Sequence, residues 1–169
     1  MERSGPGVAD TASPSLRVVE NEAIKLGLLD DFIGYYLRLA YEEAFQDFTQ
    51  ELGADSLKPG SFALLSLIVE NPGITQTELS RAAGRDKSSV TTALRLLEDD
   101  GLIERRRLPD DRRSYASEVT AKGQAVYGRI AAKAKIHSDR LETIVGADDK
   151  NALLRVLKTL IVSLRQRER

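Results

Sequence analysis

The run ITQTELSRAAGRDKSSVTTALRLLEDDGLIERRR, residues 74–107, holds two helix starts, two helix stops and the opening of a strand. Thr75-Gln76-Thr77-Glu78 has the form of a capping box: the threonine oxygen accepts from the third helical amide while the glutamate reaches back to the cap N–H. Ile74 and Leu79 occupy the flanking hydrophobic-staple positions. The spacing predicts a short helix that ends near Ala83, with Gly84 as the turn residue. Asp86 is a second N-cap and opens a helix over 87–99. Gly101 stands where a left-handed residue terminates it. Two extended segments follow, 102–107 and 114–119, with Leu108-Pro109-Asp110-Asp111 as turn material between them.

Outward from this run, helical periodicity dominates. From about residue 20 to 50 two apolar stripes share one predicted helix: Leu28, Phe32, Tyr35/Tyr36 and Leu39, then Leu37, Tyr41, Phe45 and Phe48. Residues 52–59 read as a linker, and a helix over 61–70 is stopped by Asn71-Pro72-Gly73. Thr120 caps a long helix to about Val145. Gly146 breaks it, and a last helix over 148–165 carries one stripe, Leu153, Leu154, Leu157, Leu160, Ile161 and Leu164. The fold class is therefore mainly α with a small β-wing. A disordered Pro/Gly-rich tail (1–15) and an N-terminal dimerisation helix (16–57) precede a winged helix-turn-helix domain (58–120). C-terminal dimerisation helices (121–169) follow it. Long amphipathic terminal helices have too little protein of their own to cover both stripes, which points to a second copy of the chain.

Composition narrows the function. Of 169 residues, 41% are hydrophobic and 30% charged, so the chain is globular. Net charge is −1, which excludes a uniformly basic coat, but the charge is uneven: residues 1–50 carry −5, 51–80 −3, 81–113 +2 and 114–169 +5. The positive half suits a surface that meets polyanions, and a solvated helix face would account for much of it too. There is no Cys and one His, which removes thiol chemistry and leaves no ordinary donor set for structural zinc. The longest nearly apolar run, residues 62–69, is too short to span a bilayer, and the N-terminus lacks a signal pattern. These features predict a soluble cytoplasmic protein with no membrane partner. No nucleophile elbow, phosphate-binding glycine loop or metal motif is present, so no catalytic residue, metal ligand or cofactor is expected.

A major groove admits one helix, and its base edges are distinguishable by donor and acceptor pattern. On the helix over 87–99, Val90, Ala93, Leu94 and Leu97 form an anchoring face. The opposite face carries Ser88, Thr92 and Arg95, with Ser89 and Thr91 on its flanks and Lys87 at its start. Its acidic run, Glu98-Asp99-Asp100, lies at the far end from the positive helix terminus, where an anion would sit. Thr75 and Gln76, at the start of the supporting helix, join this surface. The ribbon packs five arginines into residues 104–113; Arg107, Arg112 and Arg113 are candidates for a minor groove, with Asp111 holding Arg113 in direction. The plainer alternatives are a solvated helix face and a charged hairpin tip that keeps an edge strand soluble. A winged domain that binds protein and not DNA is a further alternative.

With these residues in place, the chain resembles the MarR family of bacterial transcriptional regulators. Ile74-Thr75-Gln76-Thr77-Glu78-Leu79 resembles the family's helix-turn-helix entry, and Asp86-Lys87-Ser88-Ser89-Val90-Thr91 the start of its recognition helix. Residues 97–105 resemble the exit into the wing. Asp111-Arg112-Arg113 with Val119-Thr120-Ala121-Lys122-Gly123 resembles the wing pattern, except that Ala116 replaces a larger aliphatic and predicts looser packing there. The resemblance implies an intertwined homodimer on a pseudo-palindromic double-stranded DNA operator. It also implies a small-molecule effector that lowers DNA affinity. The candidate effector residues are Phe32, Tyr35, Tyr36 and Arg38, closed by Phe62, with dimer core as the alternative duty of these aromatics. The run Leu29-Asp30-Asp31-Phe32-Ile33-Gly34-Tyr35-Tyr36-Leu37-Arg38 resembles regulators of aromatic-acid catabolism, some of which sense CoA thioesters. His137 is expected at the surface or the dimer interface.

Overall fold

A computed structural model of the chain describes residues 24–53, 57–108 and 114–167. The expected disordered tail lies outside them. The chain divides into two compact units, Met1–Arg38 and Leu39–Arg169.

In the first unit, the single helix predicted from about residue 20 is replaced by a 3₁₀ turn at Gly27–Asp31 and an extended Phe32. Helix α1 begins only at Ile33 and runs to Leu52. Gly27 is left-handed (φ 56°), and the Phe32 N–H closes on the Leu29 carbonyl at 3.2 Å, so helical hydrogen bonding is interrupted on both sides of the turn.

The second unit contains α2 (Pro59–Glu70), β1 (Ile74–Thr75), α3 (Gln76–Ala83), α4 (Lys87–Asp99), β2 (Ile103–Arg107), β3 (Tyr115–Val119), α5 (Ala121–Val145) and α6 (Ala147–Gln166). Pro59 opens α2 two residues before the predicted start, where its missing N–H is harmless. The wing holds a third strand that the sequence reading did not anticipate. The antiparallel order is β1-β3-β2, and β1 pairs Ile74 with Ser117 and Thr75 with Ala116. Ala116 is thus buried in the central strand, opposite Arg106 on the other side.

The core lies between α2, α3, α4, the wing root and α5. Leu64, Leu65 and Ile68 meet Leu79, Val90, Leu94 and Leu97, with Leu102, Ile103 and Ile130 closing it. Each buried aliphatic contributes about 1.5–3 kcal/mol relative to exposure. In contrast, no residue of α6 is buried, and Leu153, Leu154, Ile161 and Leu164 stand about half exposed. Among the described residues, no helix is long and apolar enough to cross a membrane.

Candidate nucleic-acid interface

Two caps fix the helix pair. The Thr75 hydroxyl donates to Glu78 Oε2 at 2.7 Å and accepts from the Glu78 N–H at 3.3 Å, while the Thr75 N–H reaches the same carboxylate at 2.9 Å. These bonds hold the Glu78 carboxyl below its ordinary pKa, the side-chain bond to Thr75 contributing most. Gly84 then turns in the left-handed region (φ 63°), and Asp86 caps α4.

The Asp86 carboxylate is the most strongly perturbed group of this surface. It accepts from the Ser89 hydroxyl (2.5 Å), the Ser89 N–H (2.8 Å) and the Ser88 hydroxyl (2.7 Å). The Ser89 side chain is the largest cause that drives its pKa far below the ordinary aspartate value, so it is ionised throughout the neutral range. Across the pair, Gln76 Nε2 donates to Thr91 Oγ1 at 2.6 Å and approaches the Lys87 carbonyl at 3.4 Å. Gln76 therefore ties the start of α3 to the first turn of α4.

The buried face of α4 is the expected one, Val90, Ala93, Leu94 and Leu97. Lys87, Ser88, Thr91, Thr92 and Arg95 are exposed together on the opposite side, and Ser89 is half-buried at its flank. The Arg95 side chain is 78% exposed and meets Asp99 only at 3.7 Å, a separation at which an exposed pair holds weakly.

The wing divides its arginines by duty. Arg105 is turned inward, its Nε donating to Glu98 at 2.8 Å. Arg106 is paired with Glu104 (2.7 Å) and Glu118 (3.3 Å), and Glu104 chiefly raises its pKa. Arg107 instead donates from Nε to the Tyr115 hydroxyl at 3.0 Å and stacks over its ring, which leaves the outer fork of the guanidinium for an anion. Asp111, Arg112 and Arg113 lie outside the described residues. Tyr115 is a residue the sequence reading missed; its signal is the cross-strand register, which sets it directly opposite Arg107.

The effector candidates are less unified. Tyr35 and Tyr36 meet edge to face at 5.4 Å, Arg38 lies 5.9 Å above the Tyr35 ring, and the Tyr36 hydroxyl donates to the Asp30 carbonyl at 3.1 Å. Phe32 is 58% exposed beside them in the chain. Phe62 belongs to the other compact unit, where it stacks on Tyr127 at 6.1 Å and meets Phe48 edge to face at 5.6 Å. A groove of about 590 Å³, absent from the sequence reading, runs from Tyr41 and Phe45 of α1 past Lys58 and Arg85 to Ser88 and Thr92 of α4. His137, expected on the surface or at an interface, is mostly buried against Phe48 with Nδ1 2.7 Å from Asp47. Among the described residues no group of three or more acidic, histidine or cysteine side chains is placed to hold a metal ion.

Comparison with known proteins places this geometry in a family. The sequence model of the MarR family matches residues 57–115. A putative transcriptional regulatory protein for the hcr operon of Thauera aromatica is 30% identical over 129 residues, 76% of this chain and 78% of that protein. An HTH-type transcriptional repressor of Mycobacterium bovis is 28% identical over 136 residues, 80% of this chain and 98% of its own. Among solved structures, the repressor CouR bound to a 23-mer DNA duplex superposes with a TM-score of 0.76 at 36% identity, covering 82% of this chain and 99% of that one. CouR bound to p-coumaroyl-CoA gives a TM-score of 0.75 at 34% identity, with 82% and 98% covered. With its capped helix pair, arginine-bearing three-stranded wing and long flanking helices, this chain belongs to the MarR family of winged helix-turn-helix transcriptional regulators.

Proposed function

We propose that the chain acts in the cytoplasm as a homodimeric, sequence-specific DNA-binding repressor, released from a pseudo-palindromic operator by an aromatic or acyl-type ligand that it binds without transforming. The observation that carries this reading is the likeness to CouR over 82% of the chain in both a DNA-bound and a p-coumaroyl-CoA-bound structure. The exposed Lys87, Ser88, Thr91, Thr92 and Arg95 of α4, with the half-buried Ser89 at their flank, would face the major groove. Thr75 and Gln76 would meet the backbone beside it, and Arg107 with Asp111, Arg112 and Arg113 the minor groove. The exposed apolar stripe of α6 supports a second copy as partner, and a two-fold dimer sets its reading helices about 34–36 Å apart.

For the effector, Phe32, Tyr35, Tyr36 and Arg38 remain one candidate set. The groove favours a second: Lys58 and Arg85 suit the phosphates of a CoA thioester, and Tyr41 and Phe45 suit its aromatic acyl part. Either way, a coupling of about 1–3 kcal/mol lowers DNA affinity about 5- to 150-fold.

Fluorescence anisotropy on the DNA upstream of the chain's own gene tests this reading, with titrations of p-coumaroyl-CoA, free CoA and free p-coumarate. Tight, steeply salt-dependent binding is expected, weakened by the thioester more than by its two parts. Binding that ignores salt, or a purified monomer by light scattering, would refute it.

A further inference from the structure

We propose that α4 reads bases through oxygen lone pairs and methyl groups and not through hydroxyl donors, so that outside the reach of Lys87 and Arg95 it selects the amino groups of adenine and cytosine and the methyl of thymine. This rests on α4 being the reading helix. A hydroxyl owns a single hydrogen, and each hydroxyl of this face has placed it inside the protein. Ser88 and Ser89 donate to the two oxygens of Asp86, at 2.7 and 2.5 Å. Thr91 donates to the Lys87 carbonyl at 2.6 Å and Thr92 to the Ser88 carbonyl at 3.1 Å. The Gln76 amide nitrogen is likewise turned onto Thr91 Oγ1 and the Lys87 carbonyl.

Redirecting the serine hydrogens to a base would break charge-assisted bonds to an ionised carboxylate, and redirecting the threonine hydrogens would give up a second bond to a helix carbonyl. What these side chains still offer is oxygen lone pairs, one of those on Thr91 already taken by Gln76, and the methyls carried by Thr91 and Thr92, two exposed residues. In the major groove, adenine and cytosine present an N–H₂ donor and thymine a C5 methyl, whereas guanine presents two acceptors. Guanine opposite a serine or threonine oxygen would set lone pair against lone pair. Donors on this face come only from Lys87 and from Arg95, whose loose 3.7 Å contact with Asp99 leaves the fork free to turn to a guanine or a phosphate.

The test begins with duplexes selected from a randomised pool by the full-length protein. Each thymine of the enriched site is then replaced by uracil, each adenine by purine and each guanine by 7-deazaguanine, and binding is measured for the wild type, Thr92→Ser and Thr92→Val. Loss of one contacted methyl is expected to weaken wild-type binding about 4-fold at one thymine per half-site. Thr92→Ser is expected to lose that discrimination while Thr92→Val keeps it. Thr92 is exposed, so unchanged melting temperatures verify folding of both variants. A site in which uracil is neutral everywhere, while 7-deazaguanine is costly at several adjacent positions, overturns the proposal and leaves the DNA-binding reading standing. Failure to enrich any duplex even in dilute salt overturns both.

Discussion

Gly123 is where the wing and the long helix α5 press closest, and replacing it with alanine is predicted to destabilise the fold. A Cβ on Gly123 would stand 1.9 Å from the Leu102 carbonyl oxygen, 2.8 Å from its carbon and 2.9 Å from Val119 Cγ2. A carbon–oxygen contact settles at about 3.3–3.6 Å, so a backbone atom must retreat by about 1.4 Å. That oxygen cannot move freely, because it accepts from the Thr120 N–H at 3.0 Å and lies 3.2 Å from the Thr120 oxygen, whose hydrogen goes to the neighbouring Gly101 carbonyl at 2.7 Å. Thr120 in turn caps α5 by accepting from the Gly123 N–H at 3.0 Å. Overpacking costs about 1–3 kcal/mol, and a strained or broken bond to a buried acceptor about 1–3 more. Better helix propensity returns only about 1 kcal/mol. A net loss of about 1–5 kcal/mol corresponds to a fall in Tm of about 2–20 °C for a chain of this size. Gly128→Ala is the control: the same helix and the same substitution, but an exposed site with nothing within 4 Å of the new Cβ. There propensity acts alone, and Tm is expected to rise by about 2–4 °C. Thermal unfolding by circular dichroism at one fixed protein concentration reads both, since the melting of a dimer depends on concentration. If the two variants shift Tm in the same direction, steric contact at the wing root is not what requires glycine at residue 123.

Two further outcomes follow from the interface. Asp86 has a lowered pKa in the folded chain, so the stability it contributes is complete above its unfolded value of about 3.9 and is lost as the pH falls from there through the much lower folded value; Asp86→Ala should lower Tm by a constant amount above about pH 5, with the gap to wild type narrowing as the pH falls below about 4, and a gap independent of pH would reject the assignment. Tyr115→Phe removes the acceptor that orients Arg107 but keeps the ring, and should weaken operator binding about 2- to 10-fold; the same change made in an Arg107→Ala background should have no effect, and additive losses would show that Tyr115 acts independently of Arg107.

What could be read from sequence was local. The capping box, the Asp86 cap and the left-handed Gly84 and Gly101 depend on residues within a few positions, and each appears where the spacing put it. The buried face of α4 followed from helical period alone. Misses came from pairings across distance. Strand β1 is two residues long and exists only because Ile74 and Thr75 lie against Ser117 and Ala116. The roles of the arginines in residues 105–107 depend on Glu98, Glu104, Glu118 and Tyr115, reached through a helix exit and a strand register that composition does not encode. At Phe32 the apolar stripe continued while the backbone did not, because periodicity reports which side chains share a face and says nothing of a 3₁₀ turn that keeps them nearly in phase. Phe62, expected from its place on the second helix to close the effector pocket, packs on Phe48 and Tyr127.

The proposed release of DNA needs a mechanical path, and α5 supplies one. Its N-terminal end is tied to the wing root, where the Thr120 hydroxyl donates to the Gly101 carbonyl at 2.7 Å and Lys122 Nζ to the Asp100 carbonyl at 2.6 Å. Its middle is tied to α1: Lys133 Nζ donates to the Leu52 carbonyl at 2.8 Å, His137 meets Asp47 at 2.7 Å, and Arg140 bridges Asp47 and Glu51 at 2.6 Å each. Arg140 is 44% exposed, so its ion pairs contribute direction more than stability; the partly buried stack of His137 on Phe48 supplies the packing. A helix of 25 residues is about 37 Å long, and a tilt of about 3° over that length moves its far end by about 2 Å. Hydrogen bonds to bases and phosphates weaken steeply beyond about 3.2 Å, so a small displacement of α1 suffices to spoil contacts at the wing. An effector seated against α1 would act on the wing through this lever arm, lowering DNA affinity by no more than its own free-energy preference for an α1–α5 packing in which the wing is displaced.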